Sequence, residues 1–282
     1  ITKEKMIAVT FFAFLTIFFW AIFEQSPGTL TIFANDYTNR ILDGNAGAIF
    51  MIVNAAITLV PLGIITWVLF LLFKQTFAKY ALANIVLAIS FVIIWGIAFW
   101  MLNDQFSGET LEVPASWFAS LNSLYIITLA PLFSKWWESK YNPSANMKYA
   151  IGMSFLAIGM ICVAIGSDGI VPGAKSASVS MIYLILVYLF ITMAELCISP
   201  VGLSYVSKLV PARMIGMMFG IWYLAVAIGM KGAAKFGENI DKIADEKGLS
   251  YFFWMLAIVS LVVAFISLVM SPVIKKLMHG VR

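Results

Sequence analysis

Long apolar runs separated by short polar connections dominate the chain, and the interval between connections sets the kind of element expected. A membrane-spanning helix needs about 20 mostly apolar residues, because the hydrocarbon layer is about 30 Å thick and each residue rises about 1.5 Å. Eight runs meet that length, over residues 6–33, 46–73, 80–102, 115–137, 147–165, 179–207, 214–236 and 251–270. Outer-membrane barrels show shorter alternating segments instead, so the pattern predicts an all-α membrane protein with eight transmembrane helices. The longest connections, 103–114, 167–177 and 237–250, carry Gly and acidic residues and read as loops.

Composition agrees with that reading. The chain is 62% hydrophobic and 11% charged, far from the near-half apolar and quarter charged make-up of soluble domains. Its net charge of +4 is spread over short loops, not gathered on a polar face, which argues against a nucleic-acid partner. The lipid bilayer is the expected surrounding. Lys3, Lys5, Lys74, Lys79, Lys135, Lys140, Lys148, Lys208, Arg213, Lys275, Lys276 and Arg282 fall on one side of the predicted topology, against Glu4 and Glu138 alone. The other side carries Asp36, Asp43, Asp104, Glu109, Glu112, Asp168, Glu238, Asp241, Asp245 and Glu246 facing Arg40, Lys175, Lys231, Lys235, Lys242 and Lys247. Positive charge is retained in the cytoplasm, so a multi-pass protein of the cell (inner) membrane, with an even number of spans and both ends cytoplasmic, is expected. The chain begins at Ile1, and its first run is too long, with Glu24 inside it, for a cleaved signal peptide. That start reads as a cut from something larger.

Candidate chemistry is sparse. Cys162 and Cys197 lie in apolar segments without metal-type spacing, and the single histidine, His279, lies in a basic tail. No metal or organic cofactor is expected, and no nucleophile and base pair marks an enzyme. Only Glu24 and Glu195 lie well inside apolar runs. An ionisable group there costs several kcal/mol unless it faces a partner or a watery cavity, so each is a candidate for binding or proton transfer. Trp20 lies one turn before Glu24, and Ser26, Pro27 and Gly28 just beyond are expected to loosen or kink the helix. Tyr188, Thr192, Glu195 and Ser199 recur at helical spacing as one polar stripe, with Pro200 after them. Asn122 with Tyr125, and Asn54 with Thr58 and Pro61, form further polar groups; for the second of these a bridge between helices is the favoured reading. Trp222 and Tyr223 are too deep for the interfacial belt, and Gly216 with Gly220 has the spacing of a close helix contact.

These residues resemble a known family. Phe19-Trp20-Ala21-Ile22-Phe23-Glu24-Gln25 with Gly28 and Leu30 resembles the seventh helix of proton-dependent oligopeptide transporters of the major facilitator superfamily. Trp117-Phe118, Leu121-Asn122 and Ala130-Pro131-Leu132-Phe133 resemble the eighth, and Pro143-Ser144 with Met147-Lys148 and Gly152 the start of the ninth. Glu195-Leu196 with Ser199-Pro200-Val201-Gly202 resembles the tenth, and Gly216, Phe219 and Trp222 the eleventh. The resemblance implies a C-terminal six-helix bundle of a major facilitator fold with an inserted helix pair. Residues 1–40 would hold the seventh family helix, 41–112 the inserted pair, and 113–282 family helices eight to twelve.

It also implies proton-coupled symport of di- and tripeptides by alternating access, with protons as coupling ion. Glu195 would hold the peptide's free amino terminus, and Glu24 would couple protons while pairing with an arginine of the other half. Asn122, Trp20 and Trp222 would line the pocket, and Ser199 lies on the same stripe as Glu195. The N-terminal six-helix half, with its Glu- and Arg-rich motif and a lysine on its fourth helix, is missing from this chain. The inserted pair falls between the seventh and eighth helices, whereas an extra pair in this family is associated with the junction of the halves; a peripheral position is expected for it. Val226 stands where some relatives carry a small polar residue. A major facilitator carrier for another small solute, a channel, and a non-transporting structural membrane protein remain as alternatives.

Overall fold

The computed structural model describes residues 2–42, 44–108 and 111–280. Asp43, Glu109 and Arg282, counted above for orientation, lie outside the described residues, as does Ile1. Eight helices among the described residues are long and apolar enough to cross a membrane. The chain forms two compact units, one from Ile1–Asn39 with Pro114–Arg282 and the other from Arg40–Val113.

The first unit is a helical bundle: α1 (Thr2–Phe23), the short α2 (Thr29–Ile32), α5 (Ala115–Glu138), α6 (Ala145–Gly166), α7 (Ile182–Leu209), α8 (Ile215–Gly237), α9 (Ile240–Lys247) and α10 (Leu249–Leu277). Local sequence sets where these helices begin. Proline lacks the amide proton that a helix interior requires, so Pro114 and Pro211 stand just before α5 and before the one-turn lead into α8. Ser144 caps α6, its hydroxyl accepting from the Met147 amide at 3.4 Å. Gly248, at φ 88°, makes the reversal between α9 and α10 that a side chain would oppose.

Helix α6 packs chiefly against α10 and α7, α1 against α8, and α5 against α7. With little hydrophobic drive between helices in lipid, close packing and interhelical hydrogen bonds carry the association. Asn146 and Ser267 bond reciprocally between α6 and α10: Asn146 Nδ2 donates to the Ser267 carbonyl, and Ser267 Oγ donates to the Asn146 carbonyl at 2.9 Å. Thr16 and the wholly buried Tyr149 join α1 to α6 at 2.8 Å. Lys148, grouped above with the loop cations, is instead buried, its ammonium 4.3 Å from the centre of the Trp137 ring. His279 in the tail meets Glu4 of α1 at 2.5 Å.

The apolar run over 6–33, expected to loosen or kink at Ser26, Pro27 and Gly28, is broken there. Helix α1 ends at Phe23, residues 24–28 form a turn, and a short α2 and a π-helical turn (Phe33–Tyr37) follow. Pro27 cannot donate, and the carbonyl of Ser26 freed by the break accepts from the buried Tyr188 hydroxyl at 3.2 Å. Gln25 closes the other side, its Nε2 donating to the carbonyls of Ala21 at 3.0 Å and Ala233 of α8 at 3.1 Å. Tyr188→Phe should therefore lower thermal stability by about 1 kcal/mol, because that carbonyl loses one of two hydrogen bonds, keeping only the one from Thr31 Oγ1 at 3.3 Å; an unchanged unfolding midpoint would show that the break needs no such support.

Two further expectations are corrected. The sixth run was placed from residue 179, but Val179–Ser180 forms a two-residue strand β2 parallel to β1 (Thr38–Asn39), and α7 begins only at Ile182. The connection 237–250 was read as loop, yet it holds α9. That helix is mostly polar and too short to reveal itself by apolar periodicity.

The second unit is a pair of helices, α3 (Gly44–Thr76) and α4 (Ala81–Phe106). Asn54 donates to Gln105 at 2.6 Å and the Trp95 indole to Thr66 at 2.9 Å, so the polar residues of α3 do bridge helices. Arg40 meets Glu112 at 3.3 Å and the Val113 carbonyl at 2.7 Å, tying the two ends of the unit together. Most of its apolar side chains are exposed, as lipid-facing helices require.

Candidate functional site

Helices α1, α7 and α8 line an open cavity of about 550 Å³. Trp20 from α1, Glu195 and Ser199 from α7 and Trp222 from α8 all line it, with Thr16, Tyr223, Val226 and Met230. Glu195 is the single charged residue among its lining residues. Asn122 of α5 stands behind it, its amide donating to Glu195 Oε2 and to Thr192 Oγ1, both at 3.1 Å. Thr192 in turn donates to the Tyr188 carbonyl at 2.7 Å. The carboxylate is thereby oriented by an amide that is itself held, while the rest of its surface faces the cavity.

The polar stripe on α7 therefore divides its work. Tyr188 and Thr192 are buried and serve packing and orientation, while Glu195 and Ser199 reach open space. Tyr125 lies beside this group, its hydroxyl 3.5 Å from the Ile185 carbonyl.

Glu24 is not in the same cavity. It lines a neighbouring one of about 410 Å³, formed at the α1 break with Gln25, Pro27, Gly28 and α8. Met230 lines both cavities. The Glu24 carboxylate makes no hydrogen bond or ion pair with any other described residue. No group of three or more His, Cys, Asp or Glu among the described residues is placed to hold a metal ion, and both cysteines are free thiols.

Some residues of this site were not singled out in the sequence. Thr16 was missed, although it precedes Trp20 by four residues and Glu24 by eight, so helical periodicity placed all three on one face. Met230 carried no such signal, since a methionine on an apolar helix reads as ordinary packing. The helix contacts were also misplaced. Gly216 and Gly220 meet no neighbour within 4 Å, whereas a Cβ at Gly229 would fall 2.6 Å from the Ile17 carbonyl and one at Gly202 only 2.0 Å from the Trp222 ring. Gly202 thus seats Trp222 in the cavity wall. Gly202→Ala is expected to displace that indole and destabilise the protein by about 1–3 kcal/mol, with a shift in tryptophan emission; an unshifted spectrum would mean that the ring is seated otherwise.

With eight helices of membrane-crossing length among the described residues, the chain has the architecture of a multi-pass membrane protein, and its fold matches that of solved POT transporter structures, which is of the major facilitator type. The chain belongs to the POT family, whose family model matches residues 64–242, more than half of its length. It is 31% identical over 204 residues to the uncharacterized transporter YclF of Bacillus subtilis, a match covering 67% of this chain and 40% of YclF. It is 26% identical over 270 residues to the peptide transporter YePEPT of Yersinia enterocolitica, covering 94% of this chain and 39% of that protein. Among solved structures, the fold resembles that of a POT family transporter in complex with a thioalcohol-conjugated peptide, with a TM-score of 0.66 and 22% identity over 98% of this chain and 42% of that one. The chain spans about two-fifths of the length of the curated relatives it matches.

Proposed function

We propose that this chain is the C-terminal half of a carrier in the cytoplasmic membrane that moves di- and tripeptides together with protons by alternating access. Six further spans would supply the facing half of the pocket, and both ends of this chain would lie in the cytoplasm. The observation that carries the reading is the cavity of about 550 Å³ with Glu195 as its single charged lining residue beside Trp20 and Trp222. Its size falls within the range of about 300–1,000 Å³ for small-molecule sites. One carboxylate in an otherwise apolar, aromatic wall selects a cation, and a free peptide amino terminus supplies one while its side chain fills the apolar part.

In this reading Glu195 holds the ammonium, Asn122 fixes the carboxylate and offers its amide to the peptide, and Ser199 adds a hydroxyl one turn along α7. Trp20 and Trp222 shape the side-chain pockets. Glu24, with no partner in this half, carries the coupling proton and alternates between the proton and a cation of the missing half. A ligand shifts a conformational equilibrium only through different affinity for the two states. Neutralising Glu195 by peptide and Glu24 by a proton changes which arrangement of the halves is favoured.

Competition against labelled dipeptide uptake tests the cargo. An unlabelled dipeptide with a free amino end should compete, and the same dipeptide acetylated on nitrogen should compete at least tenfold more weakly, because a charge-assisted hydrogen bond contributes about 1.5–3 kcal/mol. Equal competition by the acetylated form, or by an unrelated solute, would remove peptide recognition from the account.

A further inference from the structure

At the end of the bundle where α7 and α10 finish and α6 begins, two adjoining cavities of about 440 and 370 Å³ share Ser144, Tyr205 and Lys275 as walls. Lys276 lines the first, whose other walls include Ala145, Pro272 and Met278; Lys140 and Asn142 line the second. Neither contains a carboxylate among its lining residues. Lys140, Lys275 and Lys276 have no ion-pair partner among the described residues.

Tyr205 makes this more than a patch of solvated lysines. It is only 7% exposed, packed against Phe12, yet its hydroxyl has no hydrogen-bond partner among the described residues and keeps accessible surface. A buried phenol usually finds a partner, and the space its side chain lines is a cavity walled by lysines. Helix α6 adds its own donors. The Ser144 hydroxyl occupies the Met147 amide, but the amides of Ala145 and Asn146 at the first turn have no acceptor within the helix, and the positive end of the helix dipole lies there.

The geometry points to a binding site for a phosphate group, the headgroup of an acidic phospholipid or free phosphate, held by Lys140, Lys275 and Lys276 with the Tyr205 hydroxyl and the first turn of α6. A tetrahedral oxyanion offers the several acceptor oxygens that this set of donors needs, which a carboxylate does not. The mixed walls of the first cavity, with Pro272 and Met278 beside the lysines, suit a glycerol backbone at the membrane surface. This end also carries the chain's excess of lysine, the side expected to face the anionic leaflet. The site lies outside the Glu195 cavity and does not depend on what that cavity carries.

The protein as purified from its membrane, stripped of lipid in detergent, provides the test. Thermal unfolding is followed against short-chain phosphatidate, short-chain phosphatidylcholine and inorganic phosphate. Phosphatidate should raise the unfolding midpoint saturably and phosphatidylcholine should not; saturation by inorganic phosphate at similar concentration would assign the site to the free ion, and its failure to the lipid. Lys140→Gln with Lys275→Gln should weaken the apparent affinity about 25-fold, each lysine near a headgroup contributing about fivefold. Tyr205→Phe, which conserves volume, should weaken it about fivefold by loss of one hydrogen bond, and Lys275→Arg should retain it. Equal response to phosphatidylcholine, or unchanged affinity in variants whose ligand-free midpoint matches the parent, would overturn the proposal.

Discussion

Glu24→Gln is expected to abolish proton-driven accumulation of dipeptide while sparing exchange of labelled for unlabelled peptide across the membrane. Glutamine has nearly the same shape and cannot ionise, so the packing at the α1 break should survive. The Glu24 carboxylate has no hydrogen-bond or ion-pair partner among the described residues of this chain, and it lines its own cavity, so no side-chain bond within the bundle is lost. In the proposed cycle, what disappears is the group whose proton would link the gradient to the change of state. With one proton per cycle, a gradient of one pH unit sustains about tenfold accumulation, equal to about 1.36 kcal/mol; the variant should reach only the external concentration. Normal accumulation in the variant would remove Glu24 from the coupling.

Glu195→Gln should act on the other half of the cycle. The variant keeps an acceptor for the Asn122 amide, now 3.1 Å from Glu195 Oε2, but loses the charge that would hold an ammonium in the proposed reading. Affinity for peptides with a free amino end should fall about 10- to 100-fold, the range that a hydrogen bond to a charged group covers. Peptides blocked at the amino end should bind the variant and the parent alike. An unchanged affinity for free peptides would contradict the assignment, whatever the transport rate.

The two positions differ in how clearly the sequence announced them. Both acids stand out in apolar runs because lipid penalises an ionisable group, and the same penalty makes the eight spans legible by length alone. Stripe periodicity on α7 put Glu195 and Ser199 on one face, and both reach the cavity. The break after Phe23 was foreshadowed by Ser26, Pro27 and Gly28, yet its depth depends on Tyr188 and Ala233, residues remote in sequence.

Distance in sequence also hid the rest. That Met230 lines both the Glu24 and the Glu195 cavity follows from how α8 lies against α1, which no local pattern encodes. Close approach of helices was sought at Gly216 and Gly220 from their spacing, but tight contacts fall at Gly202, which no small-residue repeat marks, and at Gly229, which the repeat Ala225, Gly229 and Ala233 on α8 does mark. A glycine's role here is fixed by the atom opposite it, Trp222 in one case and the Ile17 carbonyl in the other.

Proton flux measures the central claim most directly. With the whole protein in liposomes holding a pH-sensitive dye and no imposed gradient, adding a dipeptide outside should acidify the interior, saturably and only when the amino end is free. Peptide entry with no change in internal pH, or acidification that N-acetylated dipeptide drives equally well, would contradict a carrier that binds its cargo through Glu195 and moves it with a proton.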